Sequence, residues 1–157
     1  DGYSDIVQIT EHGDAWVALS TETSYDDPTR WGWLGFYYAP DDGWLPLAGD
    51  VNADGWDDLV QITDSGHPWV SLSTGVIYLD PERWGAGPVY YDELNHWYPI
   101  LDDVNSDGRA DLIQIDPYGS AWVYFSEEKE FKGPEFWGDL GYLFRREEGR
   151  LPFYLGR

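Results

Sequence analysis

Short runs of alternating apolar and polar residues recur along the chain, parted by clusters of Gly, Pro, Asp and Ser. Asp58-Leu59-Val60-Gln61-Ile62 leads into the turn cluster Thr63-Asp64-Ser65-Gly66. Trp69-Val70-Ser71-Leu72-Ser73 then resumes the alternation. Successive side chains of a strand point to opposite faces, so this period of two around a turn predicts a β-hairpin. A third strand is expected near Trp84 to Tyr91 and a fourth around Trp97 to Leu101. No segment carries the apolar spacing of a helix.

The pattern repeats. Asp1-Gly2, Asp54-Gly55 and Asp107-Gly108 are spaced by 53 residues. So are Trp16, Trp69 and Trp122; Trp31-Gly32, Trp84-Gly85 and Trp137-Gly138; and Pro46, Pro99 and Pro152. The chain of 157 residues thus reads as one repeat domain with units 1–53, 54–106 and 107–157. Four short strands in a unit of this length predict a β-propeller blade. The expected fold is all-β, with three blades, below the range of about 4–8 that closes a ring. Leu151-Pro152-Phe153-Tyr154-Leu155 matches Trp97-Tyr98-Pro99-Ile100-Leu101 about one unit on. The first unit lacks an opening strand to match this surplus one. Two accounts answer this equally: a head-to-tail association, in which the tail of one copy pairs beside Asp5 to Ile9 of the next, or further blades of a longer chain in those positions.

Charge narrows the partners. The net charge is −21, which repels nucleic acid and anionic membranes and attracts cations. No segment is apolar and long enough to span a membrane as a helix. The chain contains no Cys, which excludes thiol chemistry, and no Met, which points to processing or to a longer parent chain.

Two segments concentrate the acidic side chains at the repeat period. Asp50-Val51-Asn52-Ala53-Asp54-Gly55-Trp56-Asp57-Asp58 and Asp103-Val104-Asn105-Ser106-Asp107-Gly108-Arg109-Ala110-Asp111 share the pattern Asp-x-Asn-x-Asp-Gly-x-x-Asp. In a curled loop the side chains at positions 1, 3 and 5 converge on one ion. Gly at position 6 permits the sharp turn, position 7 offers its carbonyl (Trp56, Arg109), and Asp at position 9 closes the shell. An all-oxygen donor set in a flexible loop suits Ca²⁺. The competing reading is a pair of Asp/Asn-rich turns without metal. Asp1 and Asp5 supply half of a third loop. Gly156 stands where Asp103 would recur, so the C-terminus offers no replacement.

The Asp-x-Asn-x-Asp-Gly-x-x-Asp-(Leu/Ile) loop, followed by a Gly turn and a Trp-Val strand, resembles the FG-GAP/VCBS calcium-binding repeat of integrin α-chain propellers. The elements Trp84-Gly85, Trp97 and Asp107-Gly108-Arg109-Ala110-Asp111-Leu112 are most similar to the mushroom-lectin branch of such propellers. The resemblance spans all three units. It implies a calcium loop between the first and second strands of a blade, a secreted or cell-surface setting, and binding or adhesion rather than catalysis. The lectin branch adds carbohydrate binding. The third unit departs from the pattern, with Arg150 in place of Trp97 and Phe136 in place of Arg83.

Asp27-Pro28-Thr29-Arg30-Trp31-Gly32 recurs as Asp80-Pro81-Glu82-Arg83-Trp84-Gly85. A flat indole beside an Asp/Arg pair can hold a sugar by stacking and hydrogen bonds. Arg30, Trp31, Arg83 and Trp84 are thus candidate ligand contacts, with Tyr37-Tyr38 and Tyr90-Tyr91 behind them. The alternative is that both Trp pack between units and that Asp27–Arg30 and Asp80–Arg83 are local ion pairs. Trp16, Trp69 and Trp122, in alternating strands, read as core. His12, His67 and His96 occupy unrelated places in their units, and no catalytic motif appears. Adjacent carboxylates such as Asp26-Asp27 and Asp41-Asp42 read as solvated surface. The expected function is a calcium-binding module with a glycan or an extracellular protein as partner. The alternatives are a structural building block joined by strand exchange, or a non-catalytic appendage of a larger secreted protein.

Overall fold

A computed structural model describes residues 2–35, 45–63, 65–85, 89 and 98–141. Among these residues there is no helix, and the strands form three separate antiparallel sheets. The first sheet runs in order β1 (Ile6–Ile9), β2 (Asp14–Ala18), β3 (Thr29–Trp33). The second runs β4 (Leu45–Gly49), β5 (Asp58–Ile62), β6 (Pro68–Ser71), β7 (Glu82–Arg83). The third runs β8 (Tyr98–Asp102), β9 (Asp111–Ile115), β10 (Ser120–Glu127), β11 (Glu130–Asp139).

The expected hairpin is β5–β6, with Gln61 opposite Trp69. Two strand expectations change. The third strand of the middle unit is only Glu82–Arg83, ending before Trp84, and residues 86–88, 90 and 91 of the expected span lie outside the described ones. The strand expected around Trp97 to Leu101 is β8, but it pairs with β9, so it opens the third sheet rather than closing the second. The sheets are therefore offset from the units counted from Asp1. Each acidic loop joins an opening strand to the next one, β4 to β5 and β8 to β9.

The sheets pack face against face. β5 is buried at all five positions because both its faces are covered. Its alternation sends Leu59 toward the first sheet, where Ala15, Val17, Leu34 and Tyr78 gather. It sends Val60 and Ile62 toward the third sheet, among Trp84, Leu112, Tyr124 and Phe131. Each such side chain contributes roughly 1.5–3 kcal/mol by leaving water.

One aromatic contact recurs at both junctions. Trp31 meets Tyr78 with ring centroids 5.7 Å apart and planes at 49°. Trp84 meets Phe131 at 5.7 Å and 50°. The Tyr78 amide donates to the Trp31 carbonyl at 2.8 Å, so the backbones also touch. A Cβ on Gly32 would lie 2.7 Å from the Tyr78 carbonyl oxygen, and one on Gly85 3.1 Å from that of Phe131. The glycine after each Trp is what lets the next unit approach. Trp31 is the extra residue of a β-bulge, since Ala15 pairs with Gly32 and Trp16 with Arg30. Trp137 holds the same place, since Ala121 pairs with Gly138 and Trp122 with Phe136. A bulge turns its side chain away from the regular alternation, which brings Trp31 against Tyr78 of the next unit, whereas Trp137 lies against Phe125 of its own sheet at 5.9 Å.

Candidate metal loops and their rim

The two acidic loops adopt one geometry. Asp50 accepts from the amides of Asp54 (3.2 Å) and Gly55 (2.8 Å), and Asp103 from those of Asp107 (3.1 Å) and Gly108 (2.9 Å). Asn52 Oδ1 accepts from the Asp54 amide at 2.8 Å, and Asn105 Oδ1 from the Asp107 amide at 2.8 Å. Asp54 Oδ1 accepts from the Trp56 amide, and Asp107 Oδ1 from the Arg109 amide, both at 2.9 Å. Position 4 is left-handed in both, at Ala53 (φ 63°) and Ser106 (φ 65°). Position 6 is left-handed too, at Gly55 and Gly108 (both φ 89°), which is where glycine is needed.

Each loop closes on a carboxylate fully removed from solvent, Asp58 or Asp111. Asp58 Oδ1 accepts from the Ser73 amide at 2.7 Å and Oδ2 from the Val51 amide at 3.1 Å. Its pKa is raised to about 7, chiefly by burial, with a smaller upward push from Asp54 and Asp50 and a downward pull from those two amides. Asp111 is raised by the same causes, burial foremost. Its Oδ1 accepts from the Ser126 amide at 2.9 Å, but Oδ2 is buried with no hydrogen-bond partner. The Val104 amide exerts a stabilising pull without closing a bond. A buried acceptor left without a hydrogen bond is rare in folded proteins.

Among the described residues, no three carboxylate or imidazole groups converge as they do around a held ion. The loop carboxylates instead grip loop amides, and Asn52 and Asn105 donate to Asp54 (2.9 Å) and Asp107 (3.0 Å). The donor set suits calcium in kind, all oxygen and mostly charged, and its members would have to draw inward to share one ion. In the half-loop, Asp5 Oδ1 accepts from the Ser20 amide at 2.8 Å, as Asp58 and Asp111 do from Ser73 and Ser126. Asp1 lies outside the described residues.

The loops touch across the second junction. The Ala110 amide donates to the Asp50 carbonyl at 2.6 Å, and Ser126 Oγ to the Val51 carbonyl at 2.6 Å. Outside them runs a rim. The Trp56 side chain is 47% exposed, and its ring lies over Gly75, where a Cβ would come within 2.8 Å of the indole. In the next unit Arg109 takes the place of Trp56. It borders an open cleft of roughly 470 Å³ with Asp107, Ser126, Glu127, Lys129 and Glu130.

The proposed sugar contacts divide. Trp84 is 1% exposed and Trp31 half-buried, each stacked on the next unit, so the packing alternative holds and neither offers a free face. Arg30 and Arg83 are exposed, but Arg30 pairs with Asp14 at 2.6 Å rather than with Asp27, and Arg83 makes no ion pair with Asp80. Trp16, read as core, is 38% exposed, and Trp69 and Trp122 are half-buried. Of these two Trp series only Trp84 is buried. Tyr37, Tyr38, Tyr90, Tyr91, Asp41, Asp42, His96, Trp97 and the segment 142–157 lie outside the described residues. Trp56 entered the sequence reading only as a carbonyl donor. Its exposed ring was signalled by Gly75, whose counterparts Glu22 and Glu128 take the same left-handed conformation with a side chain present.

No family model matches the chain, and no curated protein matches it. Among solved structures it is similar to an Agrocybe aegerita lectin, described by its specific recognition of non-reducing terminal N-acetylglucosamine. The TM-score is 0.68 at 19% identity, over 94% of this chain and 37% of the lectin chain. The chain spans little more than a third of that lectin's length. At this identity the likeness concerns the fold.

Proposed function

We propose that the chain is a calcium-stabilised, non-catalytic carbohydrate-binding module, a run of propeller blades of the integrin α-like calcium-repeat kind that works outside the cell. The duplicated loop carries this reading. Two segments at the repeat period adopt the same left-handed turn and the same amide bonds, and each ends on a buried carboxylate. In one of them an oxygen has no donor. Calcium supplies the missing positive charge. Asp50, Asn52, Asp54 and Asp58 with the Trp56 carbonyl hold one ion. Asp103, Asn105, Asp107 and Asp111 with the Arg109 carbonyl hold the other.

The likeness to a lectin supports glycan binding, with a terminal N-acetylamino sugar as the first ligand to try. The rim offers the contacts. Trp56 presents an open indole for stacking on a sugar face, and the cleft beside Arg109 and Lys129 presents donors for hydroxyls.

Calorimetric titration of calcium into chelator-stripped protein tests the first part. Two sites near the roughly 0.1–1 mM range of extracellular modules are expected. A flat titration that Asp58→Asn and Asp111→Asn leave unchanged refutes it. A glycan array with Trp56→Ala as control tests the second part, and binding indifferent to that substitution places the sugar elsewhere.

A further inference from the structure

The two ends of the described stack repeat the residues of its internal junctions, but uncovered. Tyr25 is the counterpart of Tyr78 and Phe131 at the period of the chain. Those two are 7% and 6% exposed beneath a Trp of the preceding unit, whereas Tyr25 is 51% exposed. Ile6 is the counterpart of Leu59 and Leu112, which are 4% and 0% exposed, and it is 49% exposed. At the other end, Trp137 is the counterpart of Trp31 and Trp84, and it is 48% exposed where Trp84 is 1%. Gly138 follows it as Gly32 and Gly85 follow theirs. A Cβ there would meet nothing within 4 Å, although the equivalent Cβ at Gly32 strikes the Tyr78 backbone. One end thus carries the bulged Trp and its glycine, and the other carries the aromatic residue that receives them.

We propose that a second copy of this chain docks head to tail on these faces, with Trp137 of one copy stacked on Tyr25 of the next. The contact continues the internal junctions without a new geometry, which is why this occupant fits. Rings at 5.7 Å with planes near 50° were found at both internal junctions, and Trp137, tilted on Phe125 of its own sheet at 5.9 Å and 55°, still leaves 48% of its surface exposed. It buries Tyr25 and Ile6 on the receiving side and Trp137 on the other, three apolar side chains exposed in the single chain. It is heterologous, because the two faces differ. The net charge of −21 on each copy opposes it at long range, and at physiological salt that repulsion is screened beyond about 8 Å. The inference is independent of calcium and of glycan.

Sedimentation of the 157-residue chain at physiological salt is the test. The chain is expected to sediment as two or more copies. Trp137→Asp alone and Tyr25→Asp alone are expected to be monomers, since each loses one of the two faces. Truncating a central aromatic anchor weakens an interface by roughly thirtyfold or more. An equimolar mixture of the two variants brings one intact Trp137 face to one intact Tyr25 face and restores a two-copy species. Trp137→Phe keeps a ring and keeps the association. Both residues are exposed, so circular dichroism of each single variant matches that of the parent. A parent chain that is monomeric overturns the proposal. So does a mixture that stays monomeric while both variants are folded.

Discussion

The Asp58 carboxyl sets the chemistry of its loop. Its pKa is raised to about 7, chiefly by burial, so the metal-free fold holds a proton there that the unfolded chain releases near pH 4. A raised folded-state pKa contributes stability that is complete below the unfolded value and is lost as pH rises through the folded one. Without calcium, the melting midpoint is therefore expected to fall between about pH 4 and pH 7. Calcium bound as proposed would ionise the group, so the loss should shrink in its presence, and the stabilisation by calcium should grow with pH. At ten times Kd each proposed site would add about 1.4 kcal/mol. Thermal melts across that range, with calcium and with chelator, show whether the two curves diverge upward in pH. Gly32 makes a second residue-scale case. Gly32→Ala drives a Cβ to 2.7 Å from a backbone oxygen that has no freedom to rotate away, and the expected cost is about 1–3 kcal/mol in urea unfolding.

Among the elements, β5 and β1 are the same strand of two successive units in different surroundings. β5 is hydrogen-bonded on both edges and covered on both faces, whereas β1 pairs only with β2 among the described strands. A groove lined by Val7 and Ile9 of β1, Pro46 and Leu47 of β4, and Leu59 lies between the first two sheets. Hydrogen exchange should be slowest in β5 and β9 and faster by orders of magnitude in β1. Equal protection in β1 and β5 would mean that β1 is paired on its second edge in solution. The hairpins and the acidic loops were legible in the sequence because a turn and its ligand spacing are local. The fate of the tryptophans was not. Trp16 and Trp31 recur with the same period, and a period records recurrence without saying which face a side chain takes. A one-residue bulge between Arg30 and Gly32 decides that, and the offset of the β2–β3 register is not written in residue types.

At the scale of the whole molecule, two copies joined head to tail bring six sheets together, within the range of about 4–8 at which propellers close. Association of this kind makes stability depend on protein concentration. The midpoint of the parent should climb as the chain is concentrated, while that of Trp137→Asp should stay fixed, which scanning calorimetry at two concentrations resolves. The hydrogen bonds that tie the first acidic loop to the third sheet have one more effect. Asp50 and Val51 give their carbonyls to the Ala110 amide and the Ser126 hydroxyl; Ala110 directly precedes Asp111, and the Ser126 amide donates to the Asp111 carboxylate. An ion that tightens one loop therefore alters the free energy of ordering the other. Linkage makes this influence reciprocal. Calcium uptake should be cooperative, with a Hill coefficient above one that Ser126→Ala brings back toward one.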